Sequence, residues 1–210
     1  MIRNFLFAIV GTMVLITACR TESNETLPIL GRRTVSLEGD TLYHTIGSYA
    51  FVNQDSLEVT PETFDDKIYV ADFFFTSCPT ICPTMKTQML RVYKKFQDNP
   101  QVAILSHSID PTHDTVAVLK DYSQRLGIDN SAMWHFVTGS KEEIFRVGQS
   151  DYMVTAGEDE AAPGGFIHSG AFLLVDGERH IRGIYDGTKP EEVDKLMVDM
   201  ATLLHESKTD

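Results

Sequence analysis
The run Ile68-Tyr69-Val70-Ala71-Asp72-Phe73-Phe74-Phe75 constrains this chain more than any other segment. It is apolar almost throughout and is broken by Asp72 alone. A strand covered on both faces has no solvent side to alternate toward, so the run predicts a buried, parallel central strand. Met85, Met89, Leu90, Tyr93 and Phe96 then recur at helical spacing. Between strand and helix lie Cys78 and Cys82, each followed by a proline. Proline is tolerated in a first helical turn, whose N–H groups lack internal partners in any case. The cysteines are therefore expected in the loop or first turn that opens the helix.

The rest of the chain extends this unit. Residues 102–109 read as the next strand. Asp114 offers an N-cap to a helix holding Val116, Leu119 and Tyr122 and ending near Gly127. Trp134 to Val137 is a short strand, and Ser140 with Glu143 forms a capping-box pattern before Ile144. Asp176-Gly177 marks a hairpin between strands at 171–175 and 180–185. Pro190 starts a closing helix with Val193, Leu196, Met197 and Met200 at core spacing. Upstream, turns at Gly39-Asp40 and Gln54-Asp55 separate short strands. Alternating strands and helices, then a hairpin and a helix, imply an α/β class with a sheet of mixed direction. This is the order expected of a thioredoxin-like sandwich with an N-terminal β extension and an inserted helix.

The net charge is −12, and no basic run follows the first residues. That excludes nucleic acid as a partner, because neutralising phosphates needs a basic face. The chain starts with Arg3 and an apolar stretch from Phe5 to Ile16. The stretch is shorter than the roughly 20 residues that span a bilayer, and it fits a secretory signal. Ile16-Thr17-Ala18-Cys19 resembles a bacterial lipobox, in which Cys19 becomes the lipidated N-terminus. The expected division is a lipoprotein signal peptide over 1–18, a tether over 19–30 and one domain over 31–210. Export leads to the bacterial cell envelope, where free dithiols oxidise unless a disulfide, a metal or a reductant intervenes.

With Cys19 assigned to lipid, Cys78 and Cys82 are the remaining thiols. The partial positive charge of a helix N-terminus favours thiolate, which is both the nucleophile and the metal ligand. Thioredoxin-type oxidoreductases place two residues between their cysteines; here there are three, Pro79-Thr80-Ile81. At i, i+4 helical spacing the Cβ atoms stand about 5–6 Å apart. A disulfide wants about 3.5–4.5 Å, so a bridge needs an irregular turn, whereas two sulfurs on one ion have more latitude. Soft thiolates favour Cu(I) and also suit zinc. The candidate third ligand is His168, which follows a long polar loop at 156–165 and precedes a strand. Gly164-Gly165 permits that loop to move. His107 reads as strand surface, and with His113 it makes at most a weak accessory copper or zinc site.

The segment Asp72-Phe73-Phe74-Phe75-Thr76-Ser77-Cys78-Pro79-Thr80-Ile81-Cys82-Pro83 resembles the signature of the SCO/SenC family of copper-binding, thioredoxin-like proteins. Ser108-Ile109-Asp110-Pro111 with Asp114-Thr115 resembles its second block, and His168 its histidine block. The resemblance runs from about Tyr49 to the C-terminus, with the blocks in the family's order. It implies copper held by Cys78, Cys82 and His168, as Cu(I) with Cu(II) as the alternative, and a role in assembling the dinuclear copper centre of cytochrome oxidase. The expected partners are cytochrome c oxidase subunit II, a periplasmic copper donor or thiol reductant, and the membrane through the N-terminal lipid. An oxidase client places that lipid on the periplasmic face of the inner membrane. Many members carry Asp directly before the histidine, where this chain has Ile167; a carboxylate there would orient the ring. Asp110 is a candidate for polar support of the site, or equally for capping near Asp114.

The rival expectation is a thiol-disulfide oxidoreductase that keeps the oxidase cysteines reduced by cycling a Cys78–Cys82 disulfide. It needs no His168. The Trp-Cys-Gly-Pro-Cys context is missing, and no proline directly precedes the strand at Ala171.

Overall fold
The structure is a computed structural model that describes residues 26–206. The predicted signal segment and Cys19 lie outside the described residues. In chain order come β1 (Arg33–Val35), β2 (Thr41–Tyr43), β3 (Phe51–Asn53), β4 (Glu58–Val59) and β5 (Ile68–Phe74). Next are α1 (Cys82–Phe96), β6 (Val102–Ser108), α2 (Val116–Arg125), β7 (Trp134–Thr138) and α3 (Lys141–Arg146). The chain finishes with β8 (Ala156–Glu158), β9 (Phe166–His168), β10 (Ala171–Val175), β11 (Ile181–Asp186) and α4 (Pro190–Glu206).

Seven strands form the main sheet in the order β11-β10-β5-β6-β7-β3-β4. β5, β6 and β7 run parallel, and β10 and β3 flank them antiparallel. Every residue of β5 and β6 is buried, as the apolar run requires. Right-handed crossovers set α1 and α2 on the same face of the sheet. That face shows Asp72 and Phe74 of β5: Lys86 of α1 reaches Asp72, and Tyr122 of α2 stacks on Phe74. The other face carries Tyr69, Phe73 and His107, covered by Tyr49, Phe51 and Tyr152.

Several local expectations are corrected. Thr115, not Asp114, caps α2, its Oγ1 accepting the Val118 N–H at 3.4 Å. The β-branched hydroxyl lies one residue nearer the helix, which frees the Asp114 carboxylate for another task. At α3 only half of the capping box forms. Ser140 accepts the Glu143 N–H at 3.2 Å, but the Glu143 carboxylate turns to Arg146. A π-helical turn over Val147–Asp151 continues α3. The polar stretch at 156–165 is no plain loop, because its ends pair as the β8–β9 hairpin, with Ala156 opposite His168. His107 is fully buried rather than on the surface, stacked on Phe73 with ring centroids 4.6 Å apart. Tyr49, Phe51 and Tyr152 pack over that face of the sheet and leave the ring no solvent. Leu27 and Leu30, assigned to the tether by sequence, are held by Glu206 and Ile181. Among the described residues no helix is long and apolar enough to cross a membrane.

Candidate metal centre
The centre forms where β5 gives way to α1. The Cys78 N–H donates to the Phe75 carbonyl at 3.2 Å, which turns the chain back over the strand end. Cys82 is the first residue of α1, with Pro83 next, so its sulfur sits at the positive end of the helix. Asp114 fixes the entry to the turn. Its fully buried carboxylate accepts the Thr76 N–H at 2.9 Å, the Thr76 hydroxyl, and the Ser108 hydroxyl at 2.6 Å.

His168 arrives from the opposite side as the last residue of β9. Its Nδ1–H donates to the Ser169 carbonyl at 3.1 Å. That bond orients the ring and turns Nε2 toward the sulfurs, as the atom that would ligate an ion. Nε2 lies 3.2 Å from the Cys82 sulfur and 3.9 Å from the Cys78 sulfur. All three donor atoms fall within 4.8 Å of one another. Donors about 2.0–2.3 Å from a shared ion stand roughly 3.5–4 Å apart, so the set fits a single soft ion with little adjustment. Phe75 holds the imidazole edge-on at 5.9 Å. Gly164, at φ +85°, lets the hairpin close over Phe75; a Cβ there would lie 2.9 Å from that ring.

The two thiols differ. Burial pushes the Cys78 thiol up, but contacts with His168 and Cys82 and the backbone N–H groups of Thr80 and Cys82 outweigh it and bring it down to about 6. Burial, followed by the neighbouring Cys78, drives Cys82 well upward. Both cysteines are free. A metal ligand sulfur must be a thiolate, so taking up a thiophilic cation expels the Cys82 proton.

The structure brings Cys78, Cys82 and His168 together and leaves the other candidates apart. The Asp110 carboxylate accepts the His113 N–H at 3.3 Å and so closes the turn before α2, whose cap is Thr115. His113 is bound through Nδ1 to Asp114 at 2.8 Å, while His107 is in the core, so the accessory pair does not form. Sequence reasoning missed three supports. Asp114 reads in the sequence as a helix cap. Ser169 supplies only a carbonyl, which no side chain advertises. Beneath the sulfurs lies a buried ion pair, Lys86 Nζ to Asp72 Oδ2 at 2.9 Å. Its signal was the single carboxylate in the apolar run.

Comparison with known proteins agrees with this geometry. The SCO1/SenC family profile matches residues 38–205. The SCO1 protein homolog of Bacillus subtilis is 32% identical over 169 residues, 77% of this chain and 83% of its own. BsSco, a member of the Sco family of cytochrome c oxidase assembly proteins in which a disulfide switch was identified, shares the fold with a TM-score of 0.67 and 28% identity over 76% of this chain and 93% of its own. Arabidopsis thaliana ScoI, solved with copper bound, gives 0.63 and 26% over 76% of this chain and 98% of its own. The fold is therefore the thioredoxin-like sandwich expected from the element order, and the chain belongs to the SCO1/SenC family.

Proposed function
We propose that this protein is a copper chaperone of the bacterial cell envelope. Lipid on Cys19 tethers it to the periplasmic face of the inner membrane. It receives periplasmic copper and delivers it to the CuA centre of cytochrome c oxidase subunit II. One observation carries the reading: Cys78, Cys82 and a His168 ring oriented by the Ser169 carbonyl converge within 4.8 Å, a soft three-donor set at a helix N-terminus. The copper held by Arabidopsis ScoI and the oxidase-assembly role of the Sco family support it.

Cys78 and Cys82 must be reduced before they ligate, so loading waits on a periplasmic thiol reductant. Two thiolates and a neutral imidazole hold Cu(I) in a compact site with net charge −1. His168 is only half-buried, and Ile167 beside it is 40% exposed, so an incoming partner thiol or imidazole can reach the site. Handover then proceeds by ligand exchange, one protein donor replaced at a time. Metal analysis with thiol counting on the reduced protein tests the reading. One copper per chain with both thiols protected is expected, and Cys78→Ala, Cys82→Ala and His168→Ala should each release it. If all three variants hold copper like the parent, the site is elsewhere.

The asymmetry of the thiols favours a second reading, thiol-disulfide exchange. Cys78, held near 6, would attack, and the buried Cys82 would resolve. His168→Ala separates the two: a variant that retains full function in oxidase assembly supports thiol exchange.

A further inference from the structure
We infer that Lys86, which lies outside the ligand set, selects between oxidation states of the cargo by making the centre bind Cu(I) in preference to Cu(II). This deepens the chaperone reading and rests on it. Lys86 lies one helical turn after Cys82, on the same face of α1. It lines a groove of about 250 Å³ together with Cys78, Cys82, Leu90, Tyr122 and Leu126. The side chain is nevertheless only 3% exposed. Its ammonium is fixed by Asp72 at 2.9 Å and by Ser106 Oγ at 3.3 Å, and it lies 4.0 Å from the centre of the Phe74 ring. Ser106 in turn donates to the other Asp72 oxygen and accepts the Trp134 Nε1–H at 3.0 Å. The ion pair is thus oriented. Its cation borders the groove into which both sulfurs open, and its carboxylate, fully buried, is set deeper.

A buried ion pair is no stronger a glue than an apolar replacement of the same volume. The charge has an electrostatic use here. The ligand set carries net −1 around Cu(I) and is neutral around Cu(II). A fixed positive charge nearby stabilises the anionic state and does little for the neutral one. In a medium of effective dielectric about 20, a lone charge several ångströms away shifts such a balance by more than tenfold, and the opposing Asp72 carboxylate cuts the effect to about tenfold.

The two members of the pair act with opposite sign, which separates this role from a structural one. Cu(I) affinity is measured anaerobically by competition with bicinchoninate, and Cu(II) affinity by competition with glycine, on the reduced, metal-free chain. Lys86→Met should lower the ratio of Cu(I) to Cu(II) affinity about tenfold. Asp72→Asn keeps an oxygen toward the ammonium and removes the neutralising charge, so it should raise the ratio. Where Lys86→Met alone fails to fold, Lys86→Met with Asp72→Asn removes both charges and should lower the ratio as well. A ratio that moves the same way in Asp72→Asn and the lysine variants, or does not move at all, overturns the role of Lys86 while leaving the chaperone reading standing. A parent protein that binds no copper overturns both.

Discussion

Acid should unfold this protein through its core before its carboxylates titrate, and two buried histidines, His107 and His135, are the reason. The His107 imidazole is fully buried between Phe73 and Phe51, with Tyr49 and Tyr152 alongside. Burial lowers it to about 4, against a weaker upward pull from the Asp72 carbonyl and charge. The unfolded chain releases it to about 6.5. Between those values the unfolded state binds the extra proton, so stability is complete above pH 6.5 and falls as pH drops toward 4. The full contribution is about 3.4 kcal/mol, of which about 2 kcal/mol is lost between pH 7 and pH 5. His107→Phe keeps a flat ring against Phe73 and removes the proton site. Urea unfolding followed by the fluorescence of Trp134, the single tryptophan, reads the difference. His135, also lowered to about 4 by burial, titrates in both proteins and cancels in the comparison. The variant should lose about 2 kcal/mol less than the parent over that interval. Equal losses in the two proteins would refute the assignment of a neutral buried imidazole at position 107.

Asp114→Asn removes the charge that anchors Thr76 and Ser108 and turns an NH₂ toward their hydroxyls. It should lower the unfolding free energy by about 2–4 kcal/mol, read as a reduced urea midpoint; an unchanged midpoint would show that Asp114 anchors nothing. His168→Ala takes away the leading contact that opposes burial at Cys78, so that thiol should climb toward its ordinary range near 8.5. Alkylation of Cys78 by iodoacetamide at pH 7 should then slow severalfold, and an unaltered rate would detach His168 from the sulfur. Gly164→Ala and Gly165→Ala share a strained positive φ, but only the first meets a neighbour, Phe75 at 2.9 Å. Gly164→Ala should therefore be the more destabilising by about 1 kcal/mol or more, and equal melting points for the two variants would contradict the close approach of the hairpin to Phe75.

Much of the centre was legible because its signals are local in the chain. The apolar run 68–75 admits few fates other than a central strand, and the prolines after Cys78 and Cys82 place both sulfurs at the start of a helix. His168 was found through its neighbourhood in the sequence and its family block. The hairpin that carries it was missed, because β8 and β9 have three residues each and a polar connection, too short for a period to show. His107 was misplaced for the opposite reason. A histidine in a strand reads as polar and exposed, and only the distant aromatic residues Tyr49, Phe51 and Tyr152 packed over that face decide that it is covered.

The sequence by itself determined the class of fold, the order of the main elements and the placing of two cysteines at a helix start, since patterning and proline chemistry act within one or two turns of chain. Tertiary structure alone decided how the three donors meet and what surrounds them. Cys82 and His168 are separated by 86 residues, yet Nε2 comes to 3.2 Å from the sulfur. The carbonyl of Ser169 orients the ring, Asp114 pins the turn, and the Asp72–Lys86 pair lies beneath the thiols. Each of these depends on a distance across the sheet. Linear order does not encode such distances, because they are set by packing once apolar surface has been taken out of water.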